Sequence, residues 1–185
     1  MPFAIAFVGI LVVGLGYAAY VDWTTLKVPK WLTIGLLALG IAMNLARGGW
    51  LGRDSDDGLG LGLLNGFLFS LAGFALGFAL FFLLWIFGLG GGGDVKLVAA
   101  TGAWIGWLPV LLSIALSLPF LILVTVLVSV YRMGSGKLPP TAVQGGGRRK
   151  AVTTFSLPFA LGTGIIVTVL MVQYANSLKA GEPGA

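Results

Sequence analysis

The side chains of this protein able to do acid–base chemistry are few. The chain has six acids, Asp22, Asp54, Asp56, Asp57, Asp94 and Glu182, and neither histidine nor cysteine. A thiol nucleophile, a thiolate or imidazole metal site, an iron–sulfur cluster and a serine–histidine couple are all excluded, so no metal or other cofactor is expected. Catalysis, if any, falls to carboxylate, lysine or tyrosine. Asp22 and Asp94 are the acids of interest. Two carboxylates that share a site resist double ionisation, so one keeps its proton near neutral pH. The ionised member can take a proton from a water as it attacks a carbonyl. The protonated member can polarise that carbonyl and later donate a proton. That is enough for peptide hydrolysis, provided both side chains reach one water.

The elements that must position this pair are apolar. Hydrophobic residues fill 58% of the 185 positions and charged residues 9%, against about 25% charged in soluble domains. This excludes an ordinary soluble domain, and the apolar content excludes a disordered chain. The expected fold class is all-α, a polytopic membrane protein. At about 20 residues per span, about six transmembrane helices fill residues 1–185 as one domain, with no separate soluble domain. Apolar runs predict spans over about 3–21, 31–46, 59–89, 110–131 and 155–174, with a shorter fourth helix over about 95–107. The first run lacks a preceding basic residue and a small-residue cleavage site, as expected of a retained span. Residues 22–30 read as a short polar loop with Pro29 at the first turn of the second helix. Residues 47–58 and 132–154 read as further polar loops, and Gly106 and Pro109 separate the fourth helix from the fifth.

With the N-terminus outside, Lys27, Lys30, Lys96, Arg132, Lys137, Arg148, Arg149 and Lys150 fall on one side and Arg47, Arg53 and Lys179 on the other. The excess assigns the first side to the cytoplasm. Asp22 and Asp94 then stand alone among the acids at the cytoplasmic face, and Asp54, Asp56 and Asp57 lie opposite. Basic residues at the ends of apolar runs set topology, so the net charge of +5 does not point to nucleic acid. The lipid bilayer is the expected environment, and the run Arg148–Lys150 an inner-face anchor.

Each candidate also has a structural reading. Asp94 follows glycines and precedes a helix, so it could cap that helix. Asp22 could be a solvated loop acid. Gly91 and Gly93 could only break a helix, or could let a substrate backbone lie close to Asp94; the phosphate-loop pattern is absent. Lys96 could pair with an aspartate or a substrate acid, or serve as a topological anchor. Glycines four apart, at 58, 62 and 66, at 73 and 77, and at 102 and 106, suit close helix packing, while Asn44, Asn65 and Ser70 suit interhelical hydrogen bonds. Tyr131, Tyr174 and the tryptophans near span ends suit an aromatic belt.

Three segments carry a family resemblance. Gly91-Gly92-Gly93-Asp94-Val95-Lys96-Leu97, followed by Gly102-Ala103-Trp104-Ile105-Gly106, resembles the Gly-x-Gly-Asp segment of type IV prepilin leader peptidases. Asp22, Thr25, Val28-Pro29 and Leu32-Thr33 resemble the first-aspartate segment of that family. Leu157-Pro158-Phe159-Ala160-Leu161-Gly162 resembles its proline-containing motif in the last span. The resemblance implies a six-helix intramembrane aspartic protease whose catalytic pair is Asp22 and Asp94, with Gly91, Gly93, Lys96, Pro29 and Pro158 in the motifs and along the substrate approach. It further implies pilin-like precursors as partners, cleaved after a glycine that ends a short basic leader, on the cytoplasmic side of the cell membrane. Larger members carry a cysteine-bearing cytoplasmic domain linked to N-methylation. This chain lacks those cysteines and resembles the short form of tight-adherence (Flp-type) systems, for which methylation is not expected. The family commonly has Asn after the proline, where this chain has Lys30.

Other functional classes remain open at this level. A non-catalytic scaffold of a pilus or secretion machine would tolerate Asn at both aspartates. A transporter or proton channel would place its ionisable groups near the bilayer midplane, whereas Asp22 and Asp94 are expected at the edge. Presenilin-type proteases share Gly-x-Gly-Asp but pair the first aspartate with a tyrosine, and here Val21 precedes Asp22. The oligomeric state is not encoded in any of these patterns.

Overall fold

The computed structural model describes residues 2–25, 28–53, 58–87, 91–134 and 155–180. Among these, all regular structure is helical: α1 (Pro2–Thr25), α2 (Lys30–Arg53), α3 (Gly58–Ile86), α4 (Gly92–Ile105), α5 (Trp107–Gly134) and α6 (Ser156–Ala180). Five of them, all but α4, contain a stretch long and apolar enough to cross a membrane. The chain is thus an all-helical, multi-pass membrane protein. The exterior of the bundle carries Trp31, Trp50, Leu83, Phe87, Ile122 and Tyr131, all exposed, a surface that suits lipid rather than water.

The fourth helix departs from a spanning segment. Its 14 residues rise about 21 Å at 1.5 Å each, short of the roughly 30 Å hydrocarbon core. It is instead the centre of the bundle, packed most extensively on α3 and α2 and touching α5 and α6. Every residue of its last two and a half turns, from Leu97 to Ile105, is buried, which is why its sequence is apolar or small on all sides.

Glycine sets how closely α4 and its neighbours approach. A Cβ on Gly73 of α3 would lie 2.0 Å from the carbonyl oxygen of Gly102, and one on Gly102 would lie 2.2 Å from that of Gly73. The backbones therefore touch where the four-residue glycine spacing predicts. The α2–α3 crossing is equally tight: Gly62 sits against Gly48 and Gly52, and Gly66 against the Asn44 carbonyl. Gly48 and Gly52 belong to the segment expected to be a polar loop. That expectation is corrected, because α2 continues to Arg53, using these glycines as its contact face. Asp54, Asp56 and Asp57 lie outside the described residues.

Polar side chains pin α2 to α4. The Trp104 indole N–H donates to the Leu36 carbonyl at 2.6 Å. The buried Asn44 amide donates to the carbonyls of Ala103 at 2.9 Å and Trp104 at 3.0 Å. Gly40 makes room for the Trp104 ring. Asn44 thus forms the expected interhelical bonds. Ser70 does not: its hydroxyl is buried without a partner, and Asn65 is exposed. Gly106, at φ +84°, ends α4 and donates its N–H to the Gly102 carbonyl at 2.8 Å. α5 starts at once, with Pro109 in its first turn, where no N–H is required; the separation expected at Gly106 and Pro109 falls at Gly106 alone, and Pro109 lies inside α5.

Candidate active site

The end of α1, the starts of α2 and α4, and the start of α6 meet at one end of the bundle. α1 runs past its expected boundary to Thr25. The Thr24 hydroxyl donates to the Tyr20 and Val21 carbonyls, and the Thr25 hydroxyl to Val21, so both threonines turn their hydroxyls back onto carbonyls of the preceding turn. Asp22 therefore projects from a helix rather than from a loop, and it is 7% exposed. The reading of Asp22 as a solvated loop acid is overturned by this burial.

Residues 28 and 29 connect to α2. Pro29 precedes the helix instead of lying in its first turn, and its carbonyl accepts the N–H groups of Leu32 and Thr33 at 3.2 and 3.4 Å. Val28 packs on Gly93, where an added Cβ would stand 3.4 Å from its side chain. This contact brings the segment that follows Asp22 against the segment that precedes Asp94.

Asp94 is the third residue of α4, whose N-cap is Gly91. Its carboxylate reaches back one turn and accepts the Gly91 N–H at 3.1 Å. Gly91, without a side chain, cannot return the bond, so this is the acidic half of a capping box. Asp94 does stabilise the helix start, from inside the first turn rather than from the cap. The capping is not its only circumstance. Burial pushes its carboxyl up from 3.8 to about 6; the Gly91 N–H opposes that rise and the charge on Asp22 adds to it. The two carboxyls thus feel each other, although they are 72 positions apart in sequence. Near neutral pH such a pair has one member readily protonated, which acid–base hydrolysis needs.

The third partner was not legible in the sequence. The Ser156 hydroxyl, fully buried at the start of α6, donates to Oδ2 of Asp22. Pro158, also buried, lies in the same first turn. Phe155, just before α6, packs its ring on Phe81 of α3 at 4.8 Å and on Phe159 at 5.5 Å. The proline-containing motif therefore holds the start of α6 beside Asp22.

Lys96 is exposed. At two positions from Asp94 it points to a different side of α4, where with Lys30, Ile34, Phe74 and Phe78 it lines a cavity of about 220 Å³ between α2, α3 and α4. A larger cavity of about 370 Å³ lies toward the other end of α2 and α3, bounded by Asn44, Arg47 and Asn65, and the Arg47 guanidinium sits 5.5 Å from the Phe69 ring centre. Neither cavity is lined by Asp22 or Asp94. Lys27, Lys137, Arg148, Arg149 and Lys150 lie outside the described residues.

Comparison with curated proteins and with solved structures returns no match. A family model described as the type IV leader peptidase family matches residues 9–132. The matched segment contains Asp22, Asp94 and the glycines between them, and it ends before α6.

Proposed function

The chain belongs to the type IV leader peptidase family, a family of proteases, and on that premise we propose that it is an intramembrane aspartic endopeptidase whose catalytic pair is Asp22 and Asp94. The observation that carries the proposal is the convergence of the two: one carboxyl buried on α1, the other raised to about 6 at the start of α4 and sensing the charge of the first.

The chemistry follows from the roles. A water between the carboxyls loses a proton to the ionised Asp22 as its oxygen attacks the scissile carbonyl carbon. Protonated Asp94 donates a hydrogen bond to the carbonyl oxygen, where negative charge develops. The tetrahedral intermediate then expels the peptide nitrogen, which takes the proton held by Asp22. Water is consumed, two chain ends are formed, and no cofactor enters.

The substrates are pilin-like precursors of the Flp type, cut after the glycine that ends a basic leader. The excess of lysine and arginine at the ends of the helices that carry the aspartates supports cleavage at the cytoplasmic face of the cell membrane. Gly91 adds no side chain beside the Asp94 carboxylate, and Gly93 gives the room in which Val28 packs. The cavity beside Lys96 offers an apolar wall of Ile34, Leu37, Phe74 and Phe78 to the apolar part of an incoming segment. Pro29 and Pro158 fix the starts of the two helices that flank the pair.

Co-expression with a tagged Flp-type precursor, scored by gel shift, tests the assignment. The wild type is expected to shorten the precursor and Asp94→Asn, at equal membrane level, to leave it intact. A precursor left intact by the wild type as well would favour the scaffold reading.

A further inference from the structure

We infer that Ser156 is a positioning residue for this hydrolysis: by donating its hydroxyl to Oδ2 of Asp22 it fixes the rotation of that carboxyl, leaving the other oxygen to receive the proton of the attacking water. The inference rests on the reading of Asp22 and Asp94 as the catalytic pair.

The observations are geometric. Asp22 is 7% exposed and Ser156 not at all, so the hydrogen bond is shielded from competing water. A serine near a helix start can use its hydroxyl on backbone groups of its own segment. This one reaches across to α1 instead. Its backbone is held by the Phe155 carbonyl accepting the Phe159 N–H at 3.0 Å, by the Phe155 ring packed on α3, and by the restricted φ of Pro158. The donor is therefore fixed in space before any substrate arrives.

The acceptor needs that constraint. The terminal torsion of an aspartate is broad and weakly defined, so a carboxyl without a partner presents its oxygens over a range of orientations. Proton transfer from a positioned water depends on direction as well as distance. One buried donor on one oxygen removes this freedom and leaves a defined acceptor. Ser156 has no exposed surface with which to touch a substrate, so its effect belongs to turnover and not to binding.

Steady-state cleavage of a Flp-type precursor by the full-length protein in lipid vesicles tests the inference, with wild type, Ser156→Ala, Ser156→Thr and Asp22→Asn compared. Ser156→Ala is expected to lower kcat by about 10- to 100-fold with KM unchanged, and Ser156→Thr, which keeps the hydroxyl, to restore most of it. An unchanged kcat in Ser156→Ala overturns the inference, as does a loss in Ser156→Thr as deep as that in Ser156→Ala. If Ser156→Ala does not accumulate in membranes, Ser156→Thr and Ser156→Val provide the same comparison, being alike in shape and differing in the hydroxyl. Equal kcat in that pair overturns the inference. A wild type that cleaves nothing overturns the catalytic reading itself, a different result from a wild type that cleaves and an alanine variant that matches it.

Discussion

Asp94 is placed where its charge is unwelcome, so removing that charge should stabilise the protein while destroying its activity. Asp94→Asn keeps a side-chain oxygen that can accept the Gly91 N–H and changes the volume hardly at all. What it removes is the ionised form, which burial and the charge of Asp22 disfavour. The rise from 3.8 to about 6 corresponds to about 3 kcal/mol at 1.36 kcal/mol per unit, and partial solvent access to Asp94 lowers the expectation to about 2–3 kcal/mol. Between these two values the folded chain holds more protons than the unfolded one, so stability falls as pH rises through the window. The asparagine variant has no such loss, and the other acids are common to both proteins and cancel. Reversible unfolding in mixed micelles, measured at pH 4 and pH 8, is the assay. The two proteins should be nearly equal at pH 4, with the variant about 2–3 kcal/mol more stable at pH 8. A difference independent of pH, or a less stable variant at pH 8, would refute the reasoning that Asp94 sits desolvated beside another carboxyl.

Other outcomes follow from the same geometry. Because Asp94 acts in its protonated form, kcat/KM for precursor cleavage should decline above about pH 6, which a pH–rate profile reads directly; a plateau extending to pH 8 would contradict the assignment of Asp94 as the acid. Gly102→Ala should destabilise by about 1–3 kcal/mol or more, because its Cβ would stand 2.2 Å from the Gly73 carbonyl oxygen, whereas Gly9→Ala, with nothing within 4 Å, should be near neutral; unfolding in micelles compares them. Trp104→Phe removes the donor to the Leu36 carbonyl, which as a residue inside α2 keeps its helical partner, so the same unfolding assay should show a loss of about 0.5–1.5 kcal/mol, the net worth of one hydrogen bond.

Much of the fold was legible because the bilayer imposes simple rules. Long apolar runs, glycines at helical spacing and polar punctuation between them sufficed for the helix count and class. The misread boundaries have separate causes. Residues 47–53 look like a loop because Gly48, Gly49 and Gly52 are poor intrinsic helix formers, yet packing against Gly62 and Leu63 of α3 outweighs propensity. α1 outran its apolar pattern because its last turn carries Asp22, Thr24 and Thr25, polar residues that hydropathy reads as loop although they are helical. At the site, Asp22 and Asp94 stood out by elimination, being acids at the ends of apolar helices. Ser156 did not, since a serine at a helix start has a common local use, and only the tertiary arrangement shows that it serves another helix.

The central claim is that Asp22 and Asp94 act as one unit on a water molecule. The most direct test is cleavage of a pilin-like precursor by the protein in vesicles, with N-terminal sequencing of the product, for Asp22→Asn, Asp94→Asn and the double variant. Residues that work as a unit are non-additive. Each single substitution should therefore abolish cleavage after the leader glycine, and the double variant should be no worse than either. Substantial cleavage at the same bond in either single variant, with equal protein in the membrane, would contradict the account.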